Sequence, residues 1–531
     1  MSSPAWRGVE EKAPARSTLP SPRKSRPKKV VLFLVAGVLI ICGAVALYFL
    51  IWPFSQKSIV EDLGEASDSS ITVGHFRGTF LPHPGCILDD VRFQRGTRDF
   101  TFITIKKLTI QGTYLGMLRR HVRRIVAEGA HVFFPALGKG TAFHTQNSKT
   151  VVDELIADGA VVEFESANAQ AKPLRFDIHK GLLNHVQSSD PILYHLKFHN
   201  PLPPGELTVS GSVGPWPRNK AEEIPLSGEY VLDRADLGYY KTIGGFVDST
   251  GKFRGTLKHI DISGTTETND FEVKSGHHPT RLSTRFDAYV DAMHGDTFLR
   301  RVDAHLAQTV LFVAGSIARA QGVKGKLTQL QFTSQQGRIE DILGLFVKAP
   351  RSPMSGPISL RAHVEIPSGS QTFLERVNLD GQFGINEGNF TNPDTQTDVN
   401  KLSAGARGAS KENPETVLTD LKGLVSLRQG TAHFSDLSFR VPGAHARMHG
   451  TYNIVNYRID LHGKMWVDKN ISDTTTGMKS LFLKVMDPFF KKKKKGEVVP
   501  VHIEGTYDRP QFGLDLGQQD KSKGKIERQL H

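Results

Sequence analysis

Residues 281–292 read RLSTRFDAYVDA. Leu282, Thr284, Phe286, Ala288, Val290 and Ala292 fall on one side of an extended chain, and Arg281, Ser283, Arg285, Asp287, Tyr289 and Asp291 fall on the other. Successive side chains alternate sides in a strand, so the stretch is predicted to be a strand with one dry and one wet face. The same period recurs in both directions. Downstream, Ala446, Met448, Gly450, Tyr452 and Ile454 alternate with polar residues, and past Val455-Asn456 so do Tyr457, Ile459, Leu461, Gly463, Met465 and Val467. That pattern predicts a long hairpin with one apolar face. Val501 and Ile503, then Phe512, Leu514 and Leu516, predict a last pair of strands. Upstream, Ile71 and Val73, Ile103 and Ile105, Leu108 and Ile110, and Ile260 and Ile262 carry the period towards the N-terminus.

Helical spacing is rare. Ser55–Leu63 reads as a short helix ended by Gly64, and Tyr114–Val122 as a short helix or turn with Arg119, Arg120, Arg123 and Arg124 exposed. In Arg338–Val347, Ile339, Ile342, Leu343 and Phe346 recur at helical spacing, and Pro350 closes the segment; a helix packed on a sheet edge is expected there. The body is therefore mainly β with a few short helices. Strict alternation leaves every strand with a dry face to cover. A sandwich covers it with a second sheet. An elongated, curled sheet leaves it as an apolar trough that acyl chains could fill. The pattern alone favours sandwich-like packing.

One segment differs from all the rest. Val30–Trp52, VVLFLVAGVLIICGAVALYFLIW, holds 23 consecutive uncharged residues. As a helix it is roughly 34 Å long, enough to cross a bilayer core of about 30 Å. Residues 1–29 carry eight Lys/Arg against Glu10 and Glu11, which by the positive-inside bias places the N-terminus in the cytoplasm and residues 53–531 across the membrane. Ala44-Val45-Ala46 resembles a signal-peptide cleavage site, but hydrophobicity continues through Leu50, Ile51 and Trp52 and exceeds a signal peptide's apolar core. A retained single-pass anchor is expected.

The net charge of +13 is concentrated in this tail and in Lys491–Lys495. The remaining body is close to neutral, which argues against nucleic acid as a partner. Two cysteines, Cys42 within the span and Cys86 alone in the body, give no intradomain disulfide. No CxxC, HExxH or other metal-ligand spacing occurs, and His277-His278 has no companion ligands in the sequence. Neither a metal nor a cofactor is expected. Gly245–Lys252 lacks the glycine spacing of a phosphate-binding loop, and Phe253 stands where Ser/Thr is required, so the stretch reads as a β-turn. Ser210–Gly214 lacks the first glycine of a nucleophile elbow. No catalytic residue is assigned, and an enzyme is not expected.

Met478–Lys495 carries one functional candidate. Met478, Leu481, Phe482, Val485, Met486 and Phe489 form an apolar stripe, and Phe489-Phe490 abuts Lys491, Lys492, Lys493, Lys494 and Lys495. Aromatics beside a polybasic run suit an anionic membrane surface. A helix capping the sheet, followed by a solvated lysine loop, is the plainer reading and is favoured.

The whole arrangement resembles the AsmA family of envelope proteins, with its TamB- and YhdP-like relatives. The resemblance rests on the basic tail and single span, and on Pro84-Gly85-Cys86-Ile87-Leu88-Asp89-Asp90-Val91. It continues in Leu108–Leu118 followed by Arg120–Val132, in Gly443–Val467, and in Val501–Leu516 with Gly505–Phe512. It implies an N-terminal transmembrane helix followed by an elongated, curled, mostly antiparallel or repeating β-groove, anchored in the inner membrane with its body in the periplasm. It further implies binding or conduction of phospholipid towards the outer membrane; the alternative is a scaffold for outer-membrane protein assembly that carries no lipid. On this reading residues 1–29 are a cytoplasmic tail, 30–52 the anchor bounded by Val30 and Trp52, and 53–200, 201–350 and 351–517 successive parts of the β body. Residues 518–531 are expected to form a charged, disordered tail. The groove candidates are Leu282, Phe286, Val290, Tyr457, Ile459, Leu461 and Met465. The partners expected are phospholipids, the inner membrane, and outer-membrane or other envelope proteins.

Overall fold

The computed structural model describes residues 56–67, 69–79, 82–95, 100–113, 121–134, 151–165, 173–187, 190–215, 221–240, 242–322, 325–347, 351–391, 418–441, 444–467, 498–506 and 509–514, with single positions between 393 and 400. The segments Val30–Trp52, Met478–Lys495 and 518–531, and most of the helix or turn expected at Tyr114–Val122, lie outside these residues. Among the described residues no helix is long and apolar enough to cross a membrane.

Twenty-four strands form one sheet. Its ladder follows the chain. Ser70–Thr79 pairs with Gly85–Arg95, which pairs with Phe100–Gly112, which pairs with His121–Phe134. The order continues through Ile192–Pro201, Pro225–Asp236, Phe246–Thr256 and Thr280–Asp291 to the closing pair Val498–Thr506 and Arg509–Leu514. Neighbours are antiparallel with one exception: His121–Phe134 runs parallel to Val151–Phe164. No ladder joins Ser70–Thr79 to Arg509–Leu514, so the described sheet has two edges and is not a closed barrel. More than 20 strand spacings of about 4.8 Å give a path on the order of 100 Å along the hydrogen-bonding direction. A two-strand ribbon, Met354–Ser355 with Asn389–Phe390, stands apart.

Ile192–Pro201 illustrates why these segments are strands. Ile192, Tyr194, Leu196 and Phe198 are buried while Leu193, His195 and Lys197 are exposed, the period-two pattern of a sheet with one covered face. Apolar rows of this kind pack into two cores. The first runs from Ile59 and Leu63, on one face of the helix Gln56–Ser67, across the sheet to Ala292. The second gathers Ile339, Ile358, Ile385, Leu437, Met448 and Met465. Rings tie neighbouring strands within the first core: Phe134 stacks on Phe164 at 4.9 Å, and Phe164, Phe176 and Phe198 follow edge to face. Several buried hydroxyls on this face find partners, while that of Thr297, opposite Val290, has none among the described residues. Tyr194 Oη donates to Ser227 O at 3.0 Å, and Tyr230 Oη meets Ser249 Oγ, which donates to Thr265 O.

Three local expectations need correction. The first helix continues past Gly64 to Ser67. Gly245–Lys252 is not a turn: Phe246–Thr256 is a strand pairing on both sides, entered from Gly245 at φ 108°. Tyr457 is not a strand residue either. It sits in the hairpin connection at φ 60°, and the strand begins at Arg458.

Cys86 lies fully buried in the first core, and burial pushes its thiol up from 9.0 to about 12. Tyr230 is likewise pushed up to about 12 by burial, against a hydrogen bond with Ser249 that acts the other way. The folded state thus holds these protons more tightly than the unfolded chain. Their contribution to stability is complete below about pH 9 and is lost as pH climbs towards 12. Cys86 is expected to resist iodoacetamide at pH 8 in the native protein and to react once the chain is unfolded in guanidinium. Rapid native labelling, mapped to Cys86 by peptide mass spectrometry, would contradict the burial.

A half-exposed stretch of the apolar face as candidate functional site

Direct strand partners share a face, so the register traces one side of the sheet across the body. Ala288 faces Leu299, Leu299 faces Gly315, Gly315 faces Leu330 and Leu330 faces Val364. The row continues through Leu379, Leu427, Ala432 and Tyr452 to Ile459. Leu282, Phe286 and Val290 therefore lie on the same face as Ile459, Leu461 and Met465. Val290 and Met465 are buried in the two cores, whereas Leu282, Phe286, Ile459 and Leu461 are half-buried. Tyr457, in its turn, falls outside the strand row.

Coverage of this face is uneven. Up to Leu306 most of its aliphatic residues are sealed, and sealing resumes at Ile339, Ile358, Ala362 and Val364. Between them lie Thr309–Arg319 and Lys326–Arg338. Leu311, Val313, Leu330 and Phe332 are all half-exposed, as are Leu299 and Val302 on the neighbouring strand Asp296–Leu306. The result is a strip of apolar side chains reachable from solvent, flanked by two sealed cores. From Lys326 to Ser334 it runs roughly 26 Å along the strand.

The two ends of the strip differ chemically. At one, Thr309 Oγ1 accepts from Arg338 N–H and donates to Asp341 Oδ2 at 2.7 Å, and Ser334 Oγ donates to Val310 O at 2.7 Å. Asp341 belongs to the helix Ile339–Gly344, which is thereby fixed against the sheet; Ile339 enters the second core, and Ile342 and Leu343 pack on it. At the other end Arg319 directly faces Lys326. Both cations share Asp296: Lys326 Nζ lies 2.9 Å from Oδ1, and Arg319 Nε 3.8 Å from Oδ2. Asp291 lies directly opposite Asp296, so two carboxylates and two cations meet at this mouth of the strip, and the Lys326 ammonium is held further by the His294 and Gly295 carbonyls.

The opposite face of the same strands is polar and cross-braced. Arg300 reaches Asp261 at 3.1 Å and Asp287 at 3.5 Å, His259, Tyr289 and Phe298 stack in a row, and the Arg301 guanidinium lies 5.3 Å above the Phe312 ring. The strip is thus one wall of a strongly two-sided sheet. Its residues offer apolar contact along their length and a charged cluster of Arg319, Lys326, Asp291 and Asp296 at one end.

No family model, no curated protein and no solved structure matches the chain.

In the sequence the face is marked at Leu282, Phe286 and Val290, whereas the two strands that leave it most open are marked less plainly. A signal for the second was present: Thr328, Leu330, Phe332 and Ser334 alternate with Gln329, Gln331 and Thr333. The first was masked by the run Val310-Leu311-Phe312-Val313, where an aromatic residue occupies the wet face under Arg301.

Proposed function

We propose that the protein is a non-enzymatic, AsmA-like envelope component that binds phospholipid in a groove formed by the dry side of its curled sheet. It is held in the inner membrane by Val30–Trp52, with its basic tail in the cytoplasm and its body in the periplasm. Its role is outer-membrane lipid homeostasis. The observation that carries this reading is the strip at Leu299, Val313, Leu330 and Phe332, apolar and half-exposed, with Arg319 and Lys326 at its mouth. A leaflet's acyl chains occupy about 15 Å, half of a bilayer core, so the strip is long enough to shelter them. Arg319, exposed and held only loosely by Asp296 at 3.8 Å, would be the group to meet a phosphate. Burial of the tails completes the coverage that the sheet does not provide for itself.

The sealed core from Ile71 to Ala292 favours a second reading for that part of the body. Filled with its own side chains, it supports a scaffold that carries no lipid there, as an outer-membrane assembly factor would. Lipid is therefore assigned to the strip and not to the full length of the sheet.

Mass spectrometry of lipids extracted from the detergent-purified full chain separates the two. Stoichiometric phospholipid, retained after exchange into lipid-free detergent, is expected; a protein that purifies dry supports the scaffold. Arg319→Glu reverses the charge at the mouth without touching the apolar strip. It is expected to lower the retained amount of anionic phospholipid several-fold relative to zwitterionic phospholipid, read from the same extracts. An unchanged headgroup ratio would remove Arg319 from the site.

A further inference from the structure

The outward face of the C-terminal strands holds a second cluster, unrelated to the apolar strip. In the hairpin Ala444–Asn453 and Arg458–Val467, Leu461 lies on the dry face, so Asp460 and His462 point to the wet one. The next strand, Val498–Thr506, sets Glu504 directly opposite Asp460 and His502 directly opposite His462. Two carboxylates facing each other across an antiparallel pair repel. Among the described residues neither is paired with a lysine or arginine; the partner at hand is His462, whose Nε2 lies 2.9 Å from Asp460 Oδ1. One ligand atom from each of Asp460, His462 and Glu504 lies within 4.8 Å of the others.

We propose that Asp460, His462 and Glu504 form a binding site for a divalent transition-metal ion of the zinc type. Two residues spaced i, i+2 on one strand and a third across the ladder give three donors converging from a rigid platform. One imidazole nitrogen and two carboxylate oxygens match the donors that zinc accepts at about 2.0–2.2 Å. Tetrahedral ligation needs donor atoms about 3.5 Å apart, so Asp460 and His462, now at 2.9 Å, must open slightly while the Glu504 carboxylate, within 4.8 Å of both, moves in. Glu504 is the exposed member and has the rotamer freedom to close that gap. The remaining position faces solvent and takes water. His502 stays outside the set: its ring centroid is 6.1 Å from that of His462, and its imidazole leans over Gly513, where an added Cβ would come within 2.5 Å of Nε2. A bound ion replaces the repulsion between Asp460 and Glu504 with a shared cation. It also clips Arg458–Val467 to Val498–Thr506, whose connection in the chain is long, and so stabilises the C-terminal edge of the sheet.

The test uses the untagged full chain in detergent, stripped with a chelator, and zinc chloride as the probe in competition with a chromophoric zinc chelator. One tight equivalent per chain and an upward shift in unfolding temperature on adding zinc are expected. His462→Ala and Glu504→Gln are each expected to weaken that equivalent by about tenfold or more and to abolish the shift. His75→Ala, at an exposed histidine on a distant strand, leaves both unchanged. Circular dichroism of the zinc-free variants establishes that they are folded. Absence of a tight equivalent, or wild-type affinity in both folded variants, overturns the proposal.

Discussion

A chain carrying Leu330→Asp and Phe332→Asp together is expected to purify with less than about a tenth of the phospholipid retained by the wild type. Both side chains lie on the dry face, Leu330 opposite Gly315 and Val364, and Phe332 opposite Val313 and Ala362. An acyl chain lying against them would have to bury two carboxylates. Burial of an unpaired charge is far more costly than the roughly 1.5–3 kcal/mol returned by covering one large apolar side chain. Because both positions are half-exposed, the carboxylates stay hydrated when no acyl chain covers them and the sheet survives. Gln331→Asp supplies the control. Gln331 lies between the two but points to the wet face, and its replacement should leave lipid content unchanged. Normal lipid in the double variant, with folding intact by circular dichroism, would mean that the tails lie elsewhere.

The largest effect on stability is expected from Gly211→Val. Gly211 pairs with Tyr194 on one side and Gly228 on the other, and the Tyr194 phenol is laid across both glycines. A Cβ at Gly211 would fall 2.0 Å from Ser227 O, 2.6 Å from Gly228 Cα and 2.6 Å from Tyr194 Oη. The first two are backbone atoms in a hydrogen-bonded ladder and cannot turn aside. Relief requires moving a strand or expelling Tyr194, with loss of its bond to Ser227 O. A cost above about 4 kcal/mol follows, the range of severe core disruption. Urea titration of the variant should show a midpoint far below that of the wild type, or no folded baseline. Gly384→Ala meets a serine Oγ at 3.1 Å as its one close neighbour and should stay within about 1 kcal/mol. Equal midpoints for the two variants would contradict the close packing of Tyr194 over the glycine row.

Much of this architecture could be read from residue spacing. The alternation in 281–292 places Ala288 and Val290 in the core and Arg285 outside, and the hairpin read from Ala446 to Val467 pairs in register with Ala446 opposite Met465 and Tyr452 opposite Ile459. The helix expected in Arg338–Val347 forms at Ile339–Gly344. What spacing could not supply is the position of one strand relative to a distant one. The parallel pair of His121–Phe134 with Val151–Phe164 depends on the path of an intervening segment, and no local pattern reports it. Asp460 and Glu504 are more than 40 residues apart in sequence, so no search for ligand spacing joins them; the ladder does. Nor does alternation reveal what covers a dry face. The same period serves Leu207, sealed in the first core, and Leu330, open in the strip.

The central claim is that lipid tails lie on the dry face of Lys326–Arg338. It is tested most directly by placing a photo-crosslinking phenylalanine analogue at Phe332 or at Gln331 in the full chain, irradiating intact cells, and weighing the purified protein. The strip predicts a phospholipid-sized mass increment at position 332 and none at position 331, two positions separated by a single residue but by the thickness of the sheet. No adduct at 332, or equal adducts at both, would contradict it.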